Sequence, residues 1–313
     1  MTQGKAWLDP QEIRALSTRS HLWGVLLLAH CWGVIALALA LFSLWPNPAT
    51  FVLAVVLIGS RQLGLAILMH EAAHNALFAS RRLNDFAGEW LCGRPILADL
   101  PAYRRYHLKH HRHTQTDEDP DLSLSSTYPT TRASLVRKAL RDLTGRTALR
   151  LMTIRAAYWL RMAGDVEDDP AELDLTIGYF VAQLNRGLLA NALLFALLWA
   201  VGAWWWWLAF WLMPLMTWFQ LVLRIRNIAE HGGVERTDDP FRNVRSTRAN
   251  WLERLLLAPY WVNWHTEHHL VMHIPCRNLP ALHRRLAAKG LGPRMTVAPG
   301  YLSVLRMAAG RPA

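Results

Sequence analysis

Apolar residues form three long runs along the chain and mix with polar ones elsewhere. From His21 to Trp45 no Asp, Glu, Lys or Arg occurs. From Ala49 to Met69 a single Arg61 breaks the run, and from Gly187 to Leu223 there is again none. A membrane span takes roughly 20 apolar residues at about 1.5 Å each. The first two runs therefore predict one transmembrane helix apiece, over about 21–45 and 49–69, joined by the turn Pro46-Asn47-Pro48. The third run is too long for one crossing. It predicts two helices, about 176–202 and 204–224, turning near Gly202, with Trp204 to Trp207 as an aromatic belt at the interface. Arg186 snorkels from the first of these limbs, and Pro214 kinks the second. The expected fold is all-α: four transmembrane helices in two hairpins, with segments 81–175 and 225–313 forming a helical cap. Residues 117–135, rich in Asp, Ser, Thr and Pro, read as loop. Residues 134–163 read as an amphipathic helix on the membrane or in the cap.

Charge orients this frame. The chain carries a formal net charge of +11. The turns at 46–48 and 202–206 have no Lys or Arg, whereas the segments 81–186 and 224–313 are rich in both. Positive residues favour the cytoplasmic side, so both termini and the cap are expected there, with no signal peptide visible in the polar residues 1–20. Basic residues that flank apolar spans meet anionic lipid headgroups, so nucleic acid is not an expected partner. The 313 residues read as a single domain, 1–313, because clusters of His draw on both halves of the chain. Only 18% of residues are charged and 52% are hydrophobic, which excludes a disordered chain. Cys31, Cys92 and Cys276 lack CxxC spacing, which excludes a disulfide framework and a zinc ribbon.

Nine of the 14 His fall into four clusters. These are His70 and His74; His107, His110 and His111; His231, four residues after Asn227; and His265, His268 and His269. Residues three and four apart share a helix face, so each cluster can aim its rings at one point. The first and third end spans at the expected cytoplasmic side, where the other two also lie. Nine imidazoles exceed what one ion takes, about four to six, so two ions are the economical reading. Imidazole suits Fe, Zn, Cu and Ni. A structural zinc site closes with about four ligands, so two irons with positions open to dioxygen suit the set better. Asn227 would hold a water on one ion. Glu71, Glu230 and Glu267 each sit beside a ligand His and would accept its far N–H, fixing the tautomer. Asp117 is a further candidate for that role, along with Glu118, Asp119 and Asp121; the four read equally well as a solvated turn around Pro120.

The pattern HxxxH (His70, His74), HxxHH (His107, His110, His111) and HxxHH (His265, His268, His269), with NxxxH (Asn227, His231) before the last box, resembles the integral-membrane fatty acid desaturase/hydroxylase superfamily. The likeness runs from about residue 50 to about 285. It implies a non-haem di-iron centre held by these His, with dioxygen as co-substrate. It also implies a lipid-like substrate and a bacterial inner membrane location. Electrons would come from a separate donor such as ferredoxin, since neither end carries a haem-binding domain. The leading expectation is desaturation of a fatty acyl chain. Hydroxylation or ketolation of a lipid, terpenoid or small amphiphile is the alternative, because substrate position, not the ligand set, decides the outcome. Many members continue the last box as HHLFP. This chain reads His269-Leu270-Val271-Met272-His273-Ile274-Pro275, which leaves the box intact and bears on the substrate. A membrane metal transporter or sensor is the third reading, disfavoured by spans nearly free of acidic residues.

The other His receive plainer readings. His113 and His273 flank boxes but miss the ligand spacing. His30 reads as a hydrogen-bonding group between helices, and His283, beside Arg284 and Arg285, as surface. Arg61 must face the bundle, binding a polar end of the substrate or a backbone carbonyl.

Overall fold

The computed structural model describes residues 7–153 and 177–310. The far end of the amphipathic helix expected over 134–163 lies outside them. The described chain is mostly helical, and four of its helices are long and apolar enough to cross a membrane: His21–Leu44, Pro48–Ala73, Leu184–Val201 and Trp207–His231.

Helix α1 (His21–Leu44) starts where the Ser20 hydroxyl accepts the Trp23 N–H at 3.3 Å. Helix α2 (Pro48–Ala73) starts where Asn47 Oδ1 accepts the N–H groups of Ala49 and Thr50. Pro48, whose missing N–H costs nothing at a first helical position, sits in between. The two helices meet repeatedly: the Phe42 and Phe51 rings lie 6.0 Å apart, and the Cys31 thiol donates to the Arg61 carbonyl at 3.4 Å. They are buried very differently. Helix α1 exposes Leu22, Val25, Leu26, Leu37 and Leu44, whereas α2 is buried almost throughout from Ile58 to Ala73. Arg61, within that stretch, donates to the Leu255 carbonyl, so of its two expected roles the structure shows the backbone one.

The end of α2 is where the chain converges. The last carbonyls of a helix lack internal partners. Here Ala72 and Ala73 accept from the Arg104 guanidinium at 2.8 and 3.0 Å, and Ala72 also accepts from Asn84 at 2.9 Å. Arg104 belongs to α3 (Leu100–His113), so these bonds set α3 against that end. A π-helical segment, Ala87–Gly93, fills the space between. A Cβ at Gly88 would overlap the Ala72 Cβ, so only glycine permits that approach.

Helix α4 (Arg132–Leu143) exposes Val136, Leu140 and Leu143 on its outer face. On its inner face the fully buried Asp142 accepts from Arg224, which ties it to the last span. Helix α5 (Ile177–Val201) is followed by a bend at Gly202. The belt expected there divides: Trp204 and Trp205 are exposed, while Trp206 is buried against Phe42 and Phe210. The last crossing is a broken path of π turns (Trp207–Leu212), a short piece (Met213–Met216), a break at Thr217, and α6 (Trp218–His231). Pro214, which lacks an N–H and crowds the turn before it, accounts for the widened turns that precede it rather than for the break at Thr217. The kink falls three residues beyond the proline. Two-residue strands β1 (Ser246–Thr247) and β2 (Val297–Ala298) pair in parallel, a small exception to the all-helical expectation. Helices α7 (His265–Leu270) and α8 (Leu279–Ala288) lie between them in the chain.

Candidate metal centre

The four histidine clusters meet. His70 lies in the last turn of α2, and His74 follows directly as its C-cap. His107, His110 and His111 share the inner face of α3; His231 ends α6; His265, His268 and His269 come from α7. The donor atoms of His70, His74, His107, His111 and His268 all lie within 4.8 Å of one another. So do those of His110, His231 and His269, and those of Glu230, His231 and His265. His231 thus joins four imidazoles beside the group of five. The groups adjoin: the His111 ring lies 4.2 Å from that of His269, and His110 lies 5.7 Å from His107.

The rings fit a metal better than they fit one another. His111 Nε2 stands 3.0 Å from His107 Nε2 and 3.0 Å from His268 Nε2. His231 Nε2 stands 2.8 Å from His265 Nε2. A neutral imidazole carries one N–H. The single proton on the His111 nitrogen can thus point at one neighbour, and any other close contact needs a proton from that neighbour. Both nitrogens of His70 and of His74 are buried without a hydrogen-bond partner, as are His110 Nε2 and His269 Nε2. Orphaned buried polar atoms are costly, and a cation shared among them removes the cost. Burial pushes the His74 imidazole down to about 3. It holds His107, His111, His265, His268 and His269 well below the usual range, with neighbouring imidazoles adding to the effect. These rings are therefore neutral at pH 7 and offer lone pairs, the form that ligates.

The surrounding carboxylates differ from the sequence reading in part. His110 Nδ1 donates to the buried Asp119 Oδ1 at 2.8 Å, which fixes its tautomer and leaves Nε2 for the cluster. Burial alone would raise the Asp119 carboxyl, but bonds from His110 and from the Gln115 and Asp121 amides hold it below its ordinary value. Asp117, named for that part, is instead exposed and pairs with Arg236 at 2.6 Å. Glu71 Oε1 stands 3.7 Å from His70 Nδ1, and its other oxygen accepts the Cys276 N–H at 2.8 Å. Glu230 stands 3.6 Å from His265 Nδ1 and accepts from Arg226 at 2.7 Å. Glu267 accepts from Ser246 and from His283, and among the described hydrogen bonds it meets no clustered imidazole. His283, expected at the surface, is half-buried, with its ring bonded to Glu267. Asn227 is half-buried one turn before His231.

Two further residues contribute that spacing did not reveal. The Tyr103 ring stacks on His107 at 5.2 Å and 9°, one turn earlier on α3, and Arg104 docks that helix. His113 pairs with Glu118 at 2.7 Å, and neither it nor His273 joins either group. His30 meets the Tyr260 hydroxyl at 3.2 Å.

The chain also resembles known proteins in sequence. A family model described as fatty acid desaturase matches residues 45–298. Dihydrorhizobitoxine desaturase of Bradyrhizobium elkanii is 28% identical over 248 residues, which cover 76% of this chain and 67% of that protein.

Proposed function

The chain belongs to the fatty acid desaturase family, and from that premise we propose that it is a membrane oxidoreductase that uses two irons, dioxygen and external electrons to desaturate a fatty acyl or similarly lipid-like chain. The observation that carries this reading is the convergence of nine imidazoles into two adjoining groups rich in unpartnered nitrogens. His70, His74, His107, His111 and His268 would hold one ion; His110, His231, His265 and His269 would hold the other, with Asn227 on a water. Bound iron supplies the dioxygen activation that breaking an unactivated C–H bond requires.

The chain's own residues orient and enclose. Asp119 fixes the His110 ring, Tyr103 backs His107, and Arg104 holds α3 in register with α2. Ile67, Tyr260, Val262 and Leu279 wall a cavity of ≈ 10 Å³ against His70 and His268. That is room for about one water molecule. These walls keep bulk water from that face of His70 and His268. The name of the Bradyrhizobium elkanii relative, a desaturase, supports loss of two hydrogens over gain of oxygen. Its named substrate, dihydrorhizobitoxine, and the departure after His269 favour a second reading in which a small amphiphile replaces the acyl chain.

The proposed topology places both termini and the centre at the cytoplasmic side of a bacterial inner membrane. The pairings of Phe42 with Phe51 and of Cys31 with Arg61 support the first hairpin, and the charge distribution supports the orientation. A separate acidic carrier such as ferredoxin suits the basic surface.

The test is expression in a host of defined lipid content, with metal analysis of the purified chain and profiling of lipids and small metabolites. The expected result is about two irons per chain and a product lighter by two hydrogens. A chain holding only zinc overturns the iron reading, and a product heavier by one oxygen overturns desaturation.

A further inference from the structure

Helix α7 carries three of the nine clustered imidazoles on only six residues. A helix that short does not hold its own shape or rotation in water, so contacts elsewhere must set both. At 3.6 residues per turn, His265, His268 and His269 fall on one side of it and Glu267 on the other. Glu267 is 0% exposed, and both its carboxylate oxygens are engaged. Oε2 accepts the Ser246 hydroxyl at 2.5 Å, and Oε1 accepts the His283 Nδ1–H at 2.5 Å. The Ser246 oxygen in turn accepts the Thr266 N–H at 3.0 Å.

Both partners are anchored independently of the metal groups. Ser246 lies in β1, and its N–H donates to the Thr296 carbonyl at 3.0 Å. His283 lies on α8, whose Leu279, Leu282 and Leu286 are buried, and its ring rests on Trp264 at 4.2 Å, immediately before α7. A buried carboxylate is expensive to leave without donors. Rotating α7 would strip Glu267 of both.

We propose that His283 is a positioning residue of the metal centre: with Ser246 it clamps Glu267 and thereby fixes the directions in which His265, His268 and His269 point. The proposal rests on reading the imidazole groups as an iron site. It assigns Glu267 to the back of the ligand helix, with no part in setting a ligand's tautomer.

The experiment measures iron affinity of the full purified chain by chelator competition, together with the thermal transition of the metal-free form. His283→Ala is expected to lower the metal-free transition, since Glu267 loses a donor, and, at a temperature below both transitions, to weaken iron binding by about 10- to 100-fold. His283→Asn, whose side-chain N–H2 sits close to where Nδ1 does, restores most of the loss. His113→Ala, outside both groups, binds as wild type. A His283→Ala chain with wild-type affinity overturns the clamp, as does an Asn variant no better than Ala. Should His283→Ala fail to fold, Ser246→Ala and His283→Asn decide: the first must weaken binding and the second must preserve it, or the clamp is wrong. A wild-type chain that takes up no iron overturns the metal-centre reading itself, a result distinct from normal uptake by both wild type and His283→Ala.

Discussion

The two imidazole groups sit side by side but are held by different means. Around His70, His74, His107, His111 and His268 no carboxylate makes a hydrogen bond among the described residues, and Glu71 comes no nearer than 3.7 Å. These rings owe their places mainly to helix docking: α2 is buried along its last four turns, and its terminal carbonyls are tied down by Arg104 of α3 and by Asn84. The four rings around His231 come from three elements, one of them at the end of a broken helix and another a six-residue helix. There, polar contacts replace helical length. Asp119 bonds His110, Glu230 approaches His265, and the Glu267 clamp holds α7. Where the backbone is rigid, the ligand rings need little side-chain support; where it is short or broken, carboxylates supply it.

The strongest attempt to break this comparison is His268→Ala. His268 belongs to α7, supported by polar contacts, yet its ring joins the group held by helix docking, with Nε2 3.0 Å from His111 Nε2. Removing a ligand should cost more than the ~10–100-fold in metal affinity or activity typical of a supporting residue. Iron content and product formation are both expected to collapse. Retention of either at wild-type level would show that the docked group does not depend on α7. A finer comparison pairs Asp119→Ala, which leaves His110 Nδ1 without its acceptor, with Glu71→Gln. The first is expected to lower metal affinity by about tenfold or more, with iron content falling toward one per chain, because it touches one group only. Glu71→Gln keeps an oxygen to accept the Cys276 N–H and should fall well short of that loss. Equal losses would mean that the two groups are supported alike.

Much of this is legible in the sequence. Long apolar runs marked the helices able to cross a membrane, because the bilayer imposes a length that composition reveals. The spacing of the His marked the helices whose rings converge, because i, i+3 and i+4 positions share a face. What escaped was decided by contacts distant in sequence. Nothing local separates the exposed Asp117 from the buried Asp119 two residues on. His283 read as surface beside two Arg because its partner Glu267 lies 16 residues away, on another helix. Trp206 read as belt, yet it is buried, because Phe42 from the first helix covers it. Pro214 signalled a kink, but the helix breaks at Thr217, three residues later, a place the proline itself does not specify.

Arg104 tests the docking side of the comparison in isolation. It carries no ligand, yet it bonds both terminal carbonyls of α2 and also meets Asp85. Charge-assisted bonds of this kind contribute about 1.5–3 kcal/mol each, less here because the side chain is part-exposed. Arg104→Ala should therefore lower stability by about 1–3 kcal/mol, seen as a reduced thermal midpoint, and loosen metal in the five-ring group before the other. Loss of metal from the His231 group first would reverse the assignment of rigid and supported halves.

The smallest expected effect is as informative as the large ones. Asp117→Ala removes a carboxylate whose side chain is 91% exposed and whose partner, Arg236, is itself more than half exposed. An exposed ion pair contributes roughly 0–1 kcal/mol, so stability should barely change, and iron content should match wild type. Asp117 and Asp119 carry the same functional group two positions apart on one turn. If the carboxylate's mere presence near α3 set the electrostatics of the His231 group, the two variants would resemble each other. If a single hydrogen bond to His110 Nδ1 sets the ring, only Asp119→Ala, which removes that acceptor, lowers metal content. Metal analysis of the pair therefore separates local charge from ring orientation as what the polar side of the centre supplies.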